Sequence, residues 1–326
     1  MSSLVIIHGW IRGNLGEMMM LSVFLEHIRP HFDSIHLKTC PGLEKGDSSF
    51  LVRSKLSSWE ELPQYTRHIT EKDVGKFDAV VFTPGAGIQL DNDRRSIEIM
   101  EDLDFCRTNQ IPVAFPSHSV QPKFMEKLSD VFVVAREPQT YRGLQEPKHL
   151  SGDLAFLLDL PKYKKQDRSL ICFRFDRFKS FQRKGNVIHC YSPREDYHFK
   201  FRLPENPVVT SSDYRRDKPK KIAQQLGLKW EIVDDLDSLI KLIGESKKMI
   251  TDRYHPAIIA HRYGLKVNFI PRRINRDVGL LEYLNQDNGL KGKLEGISEV
   301  LDPNKESNPI QQATLDGINR LVQYLI

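Results

Sequence analysis

One short stretch of the sequence brings together side chains that bind anions and move protons. The segment MITDRYHPAIIAHRYG puts Asp252, Arg253 and His255 between an apolar run and a helix that is otherwise apolar. Pro256 fits the first position of a helix, so His255 lies at or near the cap with its ring free to point away from the helix body. A guanidinium holds anions, and an imidazole exchanges protons near neutral pH. The stretch therefore predicts half of an active site for anions and hydroxyl groups.

A glycine-containing turn near the start of the chain is a second candidate. In HGWIRGNLGEMMML the glycines, Gly16 among them, allow close approach of the backbone to a ligand. The N–H groups of the helix that follows favour an anion, and Asn14 can hydrogen-bond to substrate hydroxyl groups. The spacing matches neither a dinucleotide fingerprint nor a P-loop. The alternative is an ordinary strand-to-helix turn whose glycines serve backbone geometry alone.

Three further strand ends carry polar or glycine residues. FTPGAGIQLD contains Gly85, PSHSVQP contains His118 and Ser119, and AREPQT places Arg136 directly after an apolar run. We interpret Gly85 as a point of close backbone approach, His118 and Ser119 as contacts to an acceptor, and Arg136 as a fork for carboxylate or phosphate. The alternatives are a tight loop, a structural histidine, and an ion pair of Arg136 with Glu137 or a neighbour.

Alternating apolar runs and helical segments must position these residues. Strands are expected at 4–9, 34–40, 77–85, 111–117 and 131–135, and again at 169–175, 186–192, 207–212 and 266–271. This alternation is typical of α/β units with parallel sheets. The polar stretch at 160–168 suggests a linker. We therefore expect two Rossmann-like domains, 1–160 and 161–326, that face each other across a cleft. The last helix is expected to pack back on the amino-terminal domain. Ligands would bind outside the carboxyl ends of the strands.

Composition narrows the classes of function. The net charge of +5 suits anionic substrates better than a nucleic-acid platform, and no RNA-binding or helix-turn-helix signature occurs. Four scattered cysteines favour a reduced, cytoplasmic protein. The sequence contains no cluster of Asp, Glu and His residues that would suggest a metal site. It also contains no apolar run long enough for a membrane span.

Taken in order, these pieces resemble the polysaccharide pyruvyl transferase family over roughly residues 5 to 285. The matching segments are GNLGE, PGAG, PSHSVQP, AREPQT, GDLAFLL and DRYHPAIIAHRYG. Glu17 stands where the family usually has Asp, and Leu154 where Pro is common. In place of a late Lys, the chain offers Arg273 or Arg276 in IPRRINRDVGLLEYL.

The resemblance implies a glycosyltransferase-B-like fold and transfer of the enolpyruvyl unit of phosphoenolpyruvate onto two sugar hydroxyls, which forms a ketal. It implies no cofactor other than phosphoenolpyruvate as co-substrate. The expected roles are catalytic for His255, Glu17 and His118, donor-binding for Arg136, Arg253, Arg273 and Arg276, and acceptor-binding for Asn14, Gly16, Gly85 and Ser119.

The expected partner is a sugar or glycan acceptor, which can be a lipid-linked precursor met at the inner face of the membrane. Two alternatives remain open from the sequence. One is a sugar-nucleotide-dependent glycosyltransferase of the same fold, and the other is a non-catalytic carbohydrate-binding protein in which His255 is structural.

Overall fold

A computed structural model of the chain describes residues 3–9, 15–39, 64–65, 76–85, 94–174, 180–191, 198–211, 217–233, 235–270 and 309–326. Contacts divide the chain into two compact units. The first is built from Met1–Arg12, Glu17–Leu158 and Asn275–Ile326. The second is built from Gly13–Gly16 and Asp159–Ile274. The last helix of the chain therefore belongs to the first unit.

The first unit is built on a parallel sheet. Its described strands are β1 (Ser3–Gly9), β2 (Ser34–Thr39), β3 (Gln64–Tyr65), β4 (Ala79–Phe82), β5 (Val113–His118), β6 (Phe132–Ala135) and β7 (Lys148–Leu150). They lie in the order β3-β2-β1-β4-β5-β6-β7, and every neighbouring pair is parallel. The order reverses between β1 and β4, so the carboxyl ends near this point form the usual ligand-binding edge of such a sheet.

The second unit contains two sheets. Its described strands are β8 (Ser169–Cys172), β9 (Ser180–Lys184), β10 (Val187–Tyr191), β11 (His198–Arg202), β12 (Pro207–Thr210), β13 (Lys229–Trp230), β14 (Lys248–Thr251) and β15 (Lys266–Phe269). A parallel sheet has the order β13-β12-β8-β14-β15. A separate antiparallel sheet has the order β11-β10-β9. The sequence predicted only strand and helix alternation here, so this antiparallel sheet is an addition to the expected layout.

A period of two along β10 and part of β11 fits an antiparallel sheet with one face on a core. The residues of β10 alternate between half-buried and buried positions, and Phe201 of β11 is buried between the exposed Lys200 and Arg202, as expected for strands with one face on a core. In β9 only Phe181 is buried. The buried face contributes Phe181, Ile188, Cys190 and Phe201 to a cluster with residues of the parallel sheet such as Ile171. The opposite face is open to solvent.

Helices accompany the strands of the two parallel sheets. The described ones are α1 (Leu15–Ile28), α2 (Arg94–Thr108), α3 (Pro122–Met125), α4 (Pro138–Gly143), α5 (Asp217–Gln225), α6 (Leu236–Gly244), α7 (Tyr254–Arg262) and α8 (Pro309–Leu325). Helix α1 is apolar on nearly all sides and is correspondingly buried along most of its length. Helix α6 begins with Asp235, whose side chain accepts a hydrogen bond from the N–H of Ser238 at 2.7 Å.

Helix α8 packs against β5, β6 and β7 of the first unit. Close packing requires small residues at the contact, because a Cβ on Gly152 would overlap with Ile310, and one on Gly317 would lie 2.8 Å from Val134. The Thr314 hydroxyl also accepts a hydrogen bond from the N–H of Gly152 at 3.0 Å. This helix therefore completes the side of the sheet that carries the end of β7.

Candidate functional site

The turn after β14 is held by hydrogen bonds at three successive residues. The Thr251 hydroxyl donates to the carbonyl of Cys172 on β8 at 2.6 Å and accepts from the N–H of Arg253 at 2.9 Å. The carboxylate of Asp252 accepts from the N–H of Arg174 at 2.8 Å. Two parallel strands are thus tied together at their carboxyl ends, which fixes the backbone from which α7 begins.

Arg253 and His255 occupy the start of α7. Arg253 is the N-cap residue with an extended backbone, and its carbonyl accepts from the N–H of Ala257 at 3.1 Å. The two side chains are largely buried, with exposed fractions of 9% for Arg253 and 8% for His255. The ring of Tyr254 lies edge-on to that of His255, with ring centroids 5.5 Å apart. The guanidinium and the imidazole therefore come from one helix start. The helix begins at Tyr254, so Pro256 is its third residue and not at the first position that the sequence predicted, and His255 is its second residue.

Gly16 lies directly against His255. It groups with the second unit, and a Cβ at this position would overlap with Nδ1 of the His255 ring. Only glycine fits here without displacing the imidazole. Two residues that the sequence singled out separately, one near the start of the chain and one late in it, are therefore brought together. Glu17, the next residue, is half-buried in the first turn of α1.

At the carboxyl edge of the first sheet, Gly85 is built into the end of β5. Its N–H donates to the carbonyl of Ser117 at 3.2 Å, and its carbonyl accepts from the N–H of Ser119 at 2.9 Å. The φ angle of Gly85 is +135°, a region that favours glycine. Ser117 also has a positive φ, 42°. The glycine identified from the sequence thus serves a specific backbone geometry at this edge.

Arg136 lies at the centre of a buried polar network. Its Nη1 donates to Asp153 at 3.0 Å and its Nε donates to the Ser119 hydroxyl at 2.6 Å. The same hydroxyl donates to Glu137 at 2.8 Å, and the Thr140 hydroxyl donates to the other oxygen of Glu137. Arg136 is 1% exposed and Asp153 is fully buried. The network joins the ends of β5, β6 and β7.

This network favours the ion-pair interpretation of Arg136, in a buried form. One guanidinium faces two carboxylates, those of Asp153 and Glu137, at distances of 3.0 and 3.8 Å. Buried charges require such partners, because an isolated charge is strongly unfavourable away from water. The role of Arg136 in binding an anionic donor stays a prediction.

His118 and Ser119 sit beside this network. His118 is fully buried, and its ring lies edge-on to Phe115 with centroids 5.1 Å apart. Its carbonyl accepts from the N–H of Arg136 at 3.2 Å. This placement favours the structural interpretation of His118, and the acceptor contact proposed for Ser119 stays a prediction.

Three of the expected site residues lie outside the described residues: Asn14, Arg273 and Arg276. Within the described ranges there is no group of three or more His, Cys, Asp or Glu side chains that could hold a metal ion. In the same part of the chain, no helix combines the length and apolar character that crossing a bilayer requires.

Sequence reasoning missed two members of the Arg136 network. Asp153 was noticed only as part of the segment GDLAFLL, and Thr140 only as a hydroxyl residue shortly after Arg136. A usable signal existed for Thr140, which closely follows the apolar strand β6, since parallel strands end at the same edge of a sheet. The strand β7 that delivers Asp153 reads KHL and is too short and polar to be recognised.

Comparison with protein families gives one match. A family model described as polysaccharide pyruvyl transferase matches residues 14–272, which is most of the chain. That range begins at the glycine turn and ends after β15. No match was found among curated proteins.

Comparison with solved structures shows the fold. The UDP-GlcNAc 2-epimerase from Neisseria meningitidis is 10% identical, with 99% of this chain and 100% of that chain covered and a TM-score of 0.53. The UDP-GlcNAc 2-epimerase from Methanocaldococcus jannaschii is 12% identical, with 99% and 100% covered and a TM-score of 0.51. An S. aureus MnaA–UDP co-structure is 12% identical, with 99% and 88% covered and a TM-score of 0.52. The predicted α/β fold of the glycosyltransferase-B type is confirmed.

Proposed function

This chain belongs to the polysaccharide pyruvyl transferase family, and on that premise we propose that it moves the enolpyruvyl unit of phosphoenolpyruvate onto two hydroxyls of one sugar. The product is a cyclic carboxyethylidene ketal. The family match over residues 14–272 is the observation that carries this proposal. The acceptor is a polysaccharide, a glycan or a lipid-linked precursor, met in the cytoplasm or at the inner face of the membrane.

The proposed reaction balances without a redox partner. An enzyme acid protonates the methylene carbon of phosphoenolpyruvate, and a cationic, oxocarbenium-like carbon forms at the enol position. One sugar hydroxyl attacks this carbon and gives up its proton. The bond to phosphate then breaks, and the second hydroxyl closes the ring as its proton leaves with phosphate. One donor and one sugar yield one ketal and one inorganic phosphate.

We assign the principal proton transfer to His255. Its imidazole stands in the first turn of α7 on a backbone fixed by Thr251 and Asp252. A positioned general acid of this kind contributes roughly 10²–10⁴ in rate. Gly16 supports the assignment, because the absence of a side chain there leaves the space that the ring occupies.

We assign donor binding to arginines of the second unit. Arg253 caps α7 two residues before His255, so its guanidinium can hold the carboxylate or phosphate beside the proton donor. Arg273 and Arg276 remain candidates for the second anionic group. Arg136 is engaged with Asp153, and we propose that it holds the strand ends in place, while its donor-binding role stays a prediction.

We propose acceptor contacts for residues of the glycine turn and, separately, for residues at the edge of the first sheet. Asn14 lies two residues before Gly16 in the sequence, and Glu17 directly follows it. Glu17 can accept a proton from a sugar hydroxyl. Gly85 and Ser119 shape the backbone where β4 and β5 end. His118 contributes by packing, since its ring is fully buried beside Phe115.

A sugar-nucleotide transferase is the second candidate, because two of the solved structures with this fold are described as bound to UDP-GlcNAc. The test incubates the protein with a panel of galactosides, glucosides and N-acetylmannosamine-containing lipid-linked sugars. One arm supplies phosphoenolpyruvate and the other supplies sugar nucleotides. We expect phosphate release and a ketal mass gain only in the first arm. Transfer from a sugar nucleotide alone would overturn the proposal.

The role of His255 is tested with a paired substitution on the same helix. We expect His255→Asn to lower kcat roughly 10²-fold or more through loss of the proton donor. His261→Asn is the matched control, because burial lowers the pKa of His261 and that residue lies further along α7. Wild-type transfer by a folded His255→Asn protein would show that the residue is structural.

A further inference from the structure

The solvent face of the antiparallel sheet in the second unit is strongly basic. Lys184 on β9 and Arg202 on β11 both stand opposite Val187 of the central strand β10. In the next row, Lys200 on β11 stands opposite His189. Lys184, Lys200 and Arg202 are all exposed. We call this surface the basic face.

The charge on the basic face is not balanced within the sheet. The strands read SFQRK, VIHCY and HFKFR, so they contain no acidic residue. The described residues also provide no ion pair to Lys184, Lys200 or Arg202, whereas Lys229 and Lys247 in the same unit each pair with a carboxylate. The field at this surface therefore favours an anionic partner.

The basic face also offers a groove and flat rings. Lys184, Val187, His189, Lys200, Phe201 and Arg202 line a shallow groove of about 420 Å³. Next to it, the rings of His189 and Tyr191 are stacked, with centroids 6.4 Å apart and planes at 16°. The Tyr191 hydroxyl donates to Gln182 at 3.5 Å. Amphipathic rings beside polar side chains suit the alternating apolar and hydroxyl surfaces of sugars.

We propose that the basic face binds an acidic polysaccharide segment outside the catalytic site. The proposal rests on the proposed function, because each ketal formed adds a carboxylate to the sugar chain. A polymer that has received several pyruvyl groups is therefore a polyanion and fits the charge of this face. A bilayer fits less well, since the described exposed side chains of the face are polar and supply no large apolar group for insertion.

Binding is measured by calorimetric titration with oligogalacturonate, a carboxylate-bearing oligosaccharide, and with a neutral maltooligosaccharide of the same length. We expect only oligogalacturonate to bind, and its affinity to weaken as salt rises. The triple variant Lys184→Gln, Lys200→Gln and Arg202→Gln should lose affinity roughly tenfold or more, as three exposed charge contacts disappear. Replacing the two lysines by arginine should preserve binding.

The matched control is Lys220→Gln, Lys248→Gln and Lys266→Gln, which removes the same charge from exposed positions of the same unit outside the antiparallel sheet. Equal losses in both triple variants, equal binding of the neutral sugar, or binding to anionic lipid vesicles instead of oligogalacturonate would overturn the proposal. Melting curves establish that the variants are folded. No phosphoenolpyruvate is present, so a failed transfer assay and a failed binding assay are distinct results.

Discussion

Arg136 and Asp153 show how a charged pair can be structural at the carboxyl edge of a parallel sheet. Both side chains are buried, and the pair is joined by a 3.0 Å hydrogen bond. Removing one partner from such a pair leaves the other charge in a low-dielectric environment, which is far less favourable than losing a pair in water. The pair therefore fixes the position of the end of β6 relative to the end of β7.

We expect Asp153→Asn to lower the free energy of unfolding by about 3–5 kcal/mol, because the buried Arg136 charge loses the nearer of its two carboxylates and only Glu137, at 3.8 Å, is left. Urea denaturation measures this change. Asp104→Asn is the control, since Asp104 pairs with Arg107 at 3.1 Å but is 74% exposed. The control should change stability by less than about 1 kcal/mol. Equal effects from the two substitutions would contradict the structural role of the buried pair.

A second residue-scale prediction concerns the space beside His255. In Gly16→Ala, the new methyl group overlaps with the imidazole and must displace it. A displacement of about 1 Å at a reacting group costs roughly 10²-fold in rate. We therefore expect kcat to fall roughly 10²-fold in the phosphoenolpyruvate assay while the protein stays folded.

Gly143→Ala is the control for that substitution, because the added methyl group there meets only the flexible end of Met125. Its kcat should stay near the wild-type value. An unchanged kcat in Gly16→Ala would show that the position of the ring does not limit transfer.

At the scale of elements, α8 and β7 depend on each other. His149 of β7 contacts the carbonyl of Ala313 on α8 through Nε2 at 3.4 Å. Burial lowers the pKa of His149, and the nearby positive charge of Arg320 lowers it further, while the Ala313 carbonyl and Asp316 oppose this shift. The contact between strand and helix is thus sensitive to protonation.

This pKa shift predicts loss of stability in acid. Below the ordinary histidine pKa of 6.5, the unfolded chain binds a proton more readily than the folded protein. The free energy of unfolding should therefore fall as pH drops from 6.5 towards the lowered pKa. His149→Asn should remove this part of the pH dependence in urea titrations, and His31→Asn, at an exposed position, should not. An identical pH dependence in both variants would refute the role of His149.

Sequence patterns located the elements whose apolar runs are long. The strands expected at 4–9 and 131–135 are present as β1 and β6, and the terminal amphipathic segment forms α8. The strands β7 and β9 were missed, because KHL is short and SFQRK has only one buried residue. Short-range periodicity carries too little information at such positions, where tertiary packing decides the structure.

At the residue scale, the sequence identified positions better than roles. The backbone at Gly85 has a positive φ angle that favours glycine, whereas α7 begins two residues earlier than Pro256 had indicated. The partners of Arg136 come from elements that meet only in the folded sheet, so sequence spacing gave no access to Asp153. The contact of Gly16 with His255 joins residues far apart in the chain and was not predictable from either segment.

At the scale of the whole molecule, the reactivity of buried cysteines can report the unfolding of each unit. Cys106 lies in the first unit and Cys172 and Cys190 in the second, and each is fully buried. Burial also raises the pKa of Cys106 to about 12, so little thiolate is present at neutral pH. We expect these three thiols to resist maleimide in the native protein.

Peptide-resolved mass spectrometry along a urea gradient measures the labelling of the cysteines of each unit separately. Cys106 should become reactive when the first unit opens, and Cys172 and Cys190 should become reactive together when the second opens. Rapid labelling of Cys106 without denaturant would contradict its burial.

The return of the chain to its first unit constrains the order of events on the ribosome. Helix α8 is translated after the second unit, yet its glycine and threonine contacts complete a sheet whose strands are translated before that unit. Until the second unit has been synthesised, the part of the first sheet that α8 covers therefore stays exposed. A premature stop codon shortly before α8 would leave the segments around Gly16 and His255 encoded but the first unit without its closing helix, so we expect such products to be recognised by chaperones and proteases.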